Sequence, residues 1–261
     1  MLKAESASRA INRLCDILNS FNEREPVLTL TEISQRIDLP KSTTHRFLEA
    51  LVSQGLLYSE NNRGYRLGPQ LIHWGMLAQE SIDLRDLALP VLRLLMDNTG
   101  ETAILSMRFG SAGAWVEMVE SRHPVRLAVR VGENLQLHAG ASSKVLWAFL
   151  PPEESEQLFK QVALNPLEKN TITTPEAMRS ELAAIRERGF ATSFEETDRG
   201  AMGIAAPVYD HTGKLVAGIG IAAPVNRVTP EHVPEIARHV LAAGRELSTK
   251  LGAPTDRHLP S

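Results

Sequence analysis

The stretch LTLTEISQRIDLPKSTTHRFLEAL, residues 28–51, constrains the fold more tightly than any other part of the chain. It carries two apolar patterns at helical spacing. Ile33 and Ile37 form the first, and Phe47, Leu48, Leu51 and Val52 form the second. Between them, RIDLPK leaves room only for a sharp break. Thr31 precedes the first helix. Pro40 suits the first position of the second, because its missing N–H has no intrahelical partner there. Two short helices joined this tightly cannot close a core alone, so the segments on either side must complete it.

Ser8 to Phe21 places Ile11, Leu14, Cys15 and Leu18 on one helical stripe. Cys15 is therefore expected in the core as a buried, inert thiol. Gly55 is expected as a left-handed cap on the helix that begins after Pro40. LLYSENNRGYRL then gives two strand-like arms around an Asn/Gly-rich turn. The order helix, helix, tight turn, helix, hairpin describes a winged helix-turn-helix over residues 1–68. Residues 69–81 read as an amphipathic linker helix. Its Leu71, Ile72, Trp74 and Met76 suit a contact between two copies of the chain.

From Ile82 the texture changes. LRDLALPVLRLLMDNTG is a helix ended by Gly100. TAILSMRF, AWVEMVES and RLAVRV have strand character. SSKVLWAFL and EAMRSELAAIRERG are helices, FATSFEE and GIAAPVYD strands. KLVAGIGIAAP pairs back through DHTGK, and a long helix runs from about Pro230 to Gly252. A sheet with flanking helices over residues 82–252 is an α+β domain. Residues 253–261 are expected to be a disordered tail.

Composition narrows the function. The 261 residues contain one cysteine, so neither an internal disulfide nor a multi-cysteine metal site is available. No apolar run reaches bilayer length, and MLKAESASRA lacks a signal-peptide segment, which suits a soluble cytoplasmic protein. Residues 1–68 hold nine Lys/Arg against eight Asp/Glu. Bulk charge therefore says little about nucleic acid, and local geometry has to carry that reading. There is no phosphate-binding loop and no HExxH, and no cofactor or metal is expected. Glu195, Glu196 and Asp198 are paired carboxylates without a nearby nucleophile or histidine, so a solvated loop or a hydrogen-bond anchor is favoured over acid–base catalysis.

LTLTEISQRIDLPKSTTHRFLEAL, YRLGPQLI, LPVLRLLMDNTGET, LHAGASSKVLWAFL, RERGFATSFEE and GIAAPVYDHTG together, in this order, resemble the IclR family of bacterial transcription regulators. The resemblance spans nearly the whole chain. It implies a winged helix-turn-helix followed by a GAF/PAS-like effector-binding domain, in dimers often paired into tetramers. It also implies a pseudo-palindromic double-stranded DNA operator and a small-molecule effector as partners. A repressor of a catabolic operon is the leading expectation. The alternatives are an activator of the same class, or a hydrolase domain fused to a helix-turn-helix.

Within that frame, Phe47 and Leu48 set the inward face of the third helix. Ser42, Thr43, His45 and Arg46 are left outward or at the edge, with Thr44 half buried. In a helix-turn-helix this end of the second helix meets the major groove. Arg46 suits guanine O6/N7, Ser42 and Thr43 suit bases or phosphates, and Lys41 suits a phosphate. Glu49 is a weaker candidate, and Arg63 at the hairpin tip and Arg9 on the first helix are candidate backbone contacts. On an isolated helix the same residues would be ordinary solvated caps.

For the effector, HAGASSK opens a helix whose Ala141, Ser142 and Ser143 leave space and expose N–H groups able to hold a carboxylate. Ser193 and Gly203 lie in the second stretch. Gly220 and Ala222 share a face of the last strand. Residues of this kind also serve simple packing. The resemblance assigns them to the effector site, with Leu127, Val129 and Met202 as apolar walls. Members that bind very small oxo-acids place hydroxyls at Gly220 and Ala222, a cysteine at Gly203 and an acid at Ser193. The present pocket is thus expected to be roomier and less polar. It would suit an aromatic or medium-sized organic acid, or a related amide, better than glyoxylate or pyruvate.

Overall fold

The computed structural model describes residues 2–22, 24–60, 63–81 and 83–254. The expected tail beyond Pro254 and part of the hairpin turn lie outside these residues. The chain divides into two compact units, Met1–Ile82 and Asp83–Ser261.

In the first unit, α1 (Leu2–Asn19), α2 (Leu30–Arg36) and α3 (Lys41–Ser53) precede the antiparallel hairpin of β1 (Leu57–Glu60) and β2 (Gly64–Leu67). Leu28 bridges Tyr65 through two backbone hydrogen bonds of 2.9 and 2.8 Å, adding a third edge to the wing. The core is Ile17, Leu28, Ile33, Ile37, Leu48, Leu51 and Leu57. Three details differ from the sequence reading. The buried stripe of α1 is Ile17 flanked by Leu14, Leu18 and Phe21, whereas Ile11 and Cys15 are exposed. A helical stripe is about 100° wide, and Phe21 beyond the helix end pulls it round by one position. Thr29, not Thr31, caps α2. Its hydroxyl accepts from the Glu32 N–H at 3.3 Å, and the Glu32 carboxylate accepts from the Thr29 N–H at 2.7 Å. That reciprocal pair is a capping box. Pro40 sits one position earlier than expected, as the N-cap of α3.

The last element of this unit is α4 (Pro69–Ser81). Its start is fixed to the end of α3. Gly55, with φ 69°, follows the α3 cap, and its carbonyl accepts from the Gln70 N–H at 3.2 Å. A Cβ on Gly68 would lie 2.1 Å from the same carbonyl oxygen, so only glycine permits this approach.

The second unit begins with α5 (Leu84–Thr99), capped by left-handed Gly100. Its sheet has six antiparallel strands: β3 (Thr102–Phe109), β4 (Ala112–Val119), β5 (Asn134–Gln136), β6 (Ala191–Phe194), β7 (Ala201–Tyr209) and β8 (Leu215–Pro224). Their spatial order is β5-β4-β3-β8-β7-β6. α5 and α9 (Val233–Lys250, after a 3-10 turn at Pro230–His232) cover one face. Ala103, Leu105, Ile204, Val208, Ile219 and Ile221 point into that layer against Leu92, Leu95, Val240 and Leu247. Each fully buried Leu or Ile contributes about 1.5–3 kcal/mol. The other face carries α6 (Ala141–Ala148), with α7 (Pro152–Gln161) and α8 (Pro175–Arg188) beyond it. The sequence reading did not single out α7, whose sparse apolar positions bury only Ser155 and Leu158. RLAVRV is not a strand. It runs without ladder pairing, and the second pairing on β4 falls instead to Asn134–Gln136.

Candidate functional site

Two regions are candidates for the functional chemistry, one in each unit. On α3, Lys41, Ser42, Thr43, His45, Arg46 and Glu49 are exposed and Thr44 is fully buried. Thr44 donates from its hydroxyl to the Pro40 carbonyl at 3.2 Å, so it belongs to the turn and the core. The turn itself depends on Asp38 in the left-handed region, φ 51°, which a short polar side chain tolerates. Ser34 locks the same turn, donating to the Leu39 carbonyl at 2.6 Å. The first turn of α3 therefore presents a cation and two hydroxyls, and Arg46 follows one turn on. His45 and Glu49 approach at 3.6 Å, which leaves Arg46 clear of that carboxylate's closest contact. Arg63 is exposed at the end of the wing turn, and Arg9 is exposed on α1.

In the second unit a cavity of about 430 Å³ opens between the sheet and the start of α6. Ala141, Ser142, Ser143, Ser193, Gly203 and Ala222 all line it. The sheet register explains the convergence. Ser193 pairs with Gly203, and Gly203 pairs with Ala222 across three adjacent strands. A Cβ at Gly203 would touch Ala141 at 3.3 Å, so the helix start sits directly over this row. Gly220 is the exception and does not line the cavity. Its missing side chain is filled by β7, where an added Cβ would lie 2.1 Å from the Ile204 carbonyl oxygen. Its smallness serves close strand approach rather than ligand space.

One end of the cavity is polar. Gly140, the N-cap of α6, has no side chain to occupy the first N–H groups of the helix. Those of Ala141, Ser142 and Ser143 precede the first intrahelical bond, Lys144 N–H to the Gly140 carbonyl at 3.0 Å. Ser143 and Ser193 are 2% and 5% exposed. Their hydroxyls form no hydrogen bond with the described residues. A second part of the wall is mainly apolar, with Ile104, Val129 and Ala222 packed against Trp115 and Leu127, but the buried indole N–H of Trp115 has no hydrogen-bond partner among the described residues. Trp115 reaches it because β4 is bulged. The register against β3 shifts between Leu105 and Ser106, which skips Val116 and re-aims the indole. Sequence spacing gives no sign of that shift, so Trp115 is absent from the expected site. Met202 and the RLAVRV residues Leu127 and Val129 do line the wall.

A buried ionic network braces the polar end. Lys144 on α6 is 1% exposed, and its Nζ donates to Glu196 at 2.6 Å and to Glu181 at 3.1 Å. The second Glu196 carboxylate oxygen accepts from the Gly140 N–H at 3.0 Å. Arg188 completes the chain, donating to Glu181 at 2.9 Å. Glu196 is thus a hydrogen-bond anchor tying the β6–β7 loop to the helix start. The lysine inside the apolar run SSKVLW was the sequence signal for it. No group of three or more His, Cys, Asp or Glu among the described residues could hold a metal ion.

Comparison with known proteins matches both regions. The IclR helix-turn-helix domain aligns with residues 10–60, and the bacterial transcriptional regulator IclR C-terminal domain with residues 76–249. The HTH-type transcriptional regulator KipR of Bacillus subtilis (strain 168) is 32% identical, covering 95% of this chain and 99% of its own length. The crystal structure of the Agobacterium tumefaciens repressor BlcR is similar at TM-score 0.83 and 26% identity, covering 95% of this chain and 98% of that one. An IclR homologue from Microbacterium hydrocarbonoxydans, crystallised with 4-hydroxybenzoate, matches at TM-score 0.59 and 26% identity, covering 93% and 98%. The named relatives are regulators of transcription, and IclR-type regulators bind DNA through the helix-turn-helix domain. The chain belongs to the IclR family of DNA-binding transcriptional regulators.

Proposed function

We propose that this regulator is a repressor of a catabolic operon, released or engaged by a small organic acid, aromatic or medium-sized, or a related amide. The observation that carries the reading is the divided wall of the cavity. Free helix N–H groups and buried hydroxyls in one part suit a carboxylate or carboxamide, and a mainly apolar part with an indole suits a ring. Binding of 4-hydroxybenzoate by one IclR homologue supports this ligand class, and the naming of BlcR as a repressor supports the sign. Lys41, Ser42, Thr43, His45 and Arg46 read the operator, with Arg63 on its backbone. Ala141, Ser142, Ser143, Ser193, Gly203 and Ala222 surround the effector.

Residues 1–68 act as the DNA-binding domain, 69–81 as the linker and 82–252 as the sensor, in a cytoplasmic homodimer or tetramer. Ile72, Trp74, Met76 and Leu77 are exposed apolar residues spread around α4, which suits burial by a second copy of the chain. No helix among the described residues is long and apolar enough to cross a membrane. Because the start of α4 is tied to the end of α3, a change in how two α4 helices pair is passed to the reading helices. The effector must favour one pairing over the other. A coupling of about 1–3 kcal/mol suffices.

A thermal-shift screen of single-ring and aliphatic carboxylates and amides tests this, with hits titrated into the complex with upstream DNA. A stabilising acid or amide that changes DNA affinity at least about fivefold is expected. Hits that bind without moving DNA affinity, or that are turned over, contradict it.

A further inference from the structure

The two indoles of the second unit are treated differently by the fold. Trp147, on α6, donates from Nε1 to the Ser155 hydroxyl at 3.1 Å, with the Ser155 carbonyl oxygen at 3.2 Å. Trp115, on β4, lines the cavity, and its buried Nε1 has no hydrogen-bond partner among the described residues. Among those residues the one other buried side-chain nitrogen or oxygen without a partner is Nδ1 of His138, which does not line the cavity.

An indole N–H donates and cannot accept. Buried and unpaired, it forfeits the hydrogen bond that it makes to water in the unfolded chain, a loss that folded proteins seldom carry. The side chains clustered with Trp115 do not make it good. Ile104, Leu127, Val129 and Ala222 are aliphatic, and the Met118 thioether is a weak acceptor. Leu127 and Val129 stand on the RLAVRV segment, which has no ladder pairing, so this part of the wall can yield to an entering ligand. Resting on the reading of this cavity as the effector site and of the α6 start as its carboxylate site, we infer that the effector carries a second hydrogen-bond acceptor, which takes the Trp115 N–H. That acceptor is uncharged, a carbonyl, ether or hydroxyl oxygen or a ring nitrogen, because the wall around it is otherwise apolar. Trp115 is then a specificity-determining residue. It favours acids bearing the acceptor over hydrocarbon acids of the same shape, which leave the N–H unpaired.

Two pairs of probes isolate the acceptor: 4-acetylbenzoate against 4-isopropenylbenzoate, and the same two groups at the 3-position. Within each pair a carbonyl oxygen is exchanged for a methylene at constant shape. Calorimetry on the full chain compares wild type with Trp115→Phe. Wild type is expected to bind at least one acetyl acid about tenfold more tightly than its twin. In Trp115→Phe that preference should fall to about twofold or reverse. The indole N–H resonances of the wild-type protein give a second readout that needs no variant. The chain has three tryptophans, and one indole resonance should move downfield with the preferred acetyl acid and not with its twin. Should Trp115→Phe fail to fold, that shift decides. Equal binding within both pairs, a preference that survives in Trp115→Phe, or no indole resonance that separates the twins overturns the inference and leaves the carboxylate site standing. Failure of all four acids to bind wild type overturns the carboxylate site and this inference with it.

Discussion

Thr44 shows how much a single residue's surroundings decide. Beside Ser42 and Thr43 it is one of three adjacent hydroxyls, yet it is buried and bonded to the Pro40 carbonyl while its neighbours face outward. The spacing from Phe47 and Leu48 made that division legible, although the burial is complete rather than half. Cys15 and Gly220 were not legible in the same way. A thiol at the edge of a helical stripe is moved out by one position of rotation. A glycine that lets two strands approach looks the same in sequence as one that leaves room for a ligand. Glu101 is a buried acid of the second unit that depends on one cation. It is 3% exposed and is held bidentately by Arg227 at 2.6 and 2.7 Å. The hydrogen bonds that the Arg227 guanidinium donates to the Glu101 carboxylate raise its pKa above the ordinary value, against the opposing effect of burial. Arg227→Ala should therefore destabilise the second unit by about 3–5 kcal/mol, because it leaves a buried carboxylate without a counter-charge. Denaturant unfolding measures this, and a loss below about 1 kcal/mol would show that the pair is dispensable.

Among the elements, those with strong periodicity or clear punctuation were legible. The first three helices, the hairpin, the left-handed glycine caps at Gly55 and Gly100, and the buried β7–β8 pair all carry such marks. RLAVRV alternates like a strand but finds no ladder, because its apolar residues are spent on the cavity wall beside Ile104 and Ala222. The bulge that turns Trp115 depends on pairing between β3 and β4, which no local pattern encodes. The junction of α3 and α4 is the element-scale feature with the most direct consequence. Gly68→Ala places a Cβ against the Gly55 carbonyl and must displace the start of α4. DNA affinity should fall at least about tenfold, with the effector cavity still binding its ligand. DNA anisotropy together with ligand calorimetry reads both. Unchanged DNA affinity would mean that the junction does not transmit.

At the scale of the whole molecule, two units with different chemistry are joined in one chain. The first is a DNA-binding helix-turn-helix with one helix end held outward by a turn, and the second encloses a cavity over the start of another helix. A second copy paired through α4 would offer two reading helices to half-sites related by two-fold symmetry. In-vitro selection of DNA by the full chain, run in parallel on wild type and Arg46→Ala, tests the assignment of α3 most directly. Wild type should enrich one sequence with inverted half-sites. Arg46→Ala, with an unchanged circular-dichroism spectrum and thermal midpoint, should enrich none. Enrichment of the same sequence by both proteins would contradict the account.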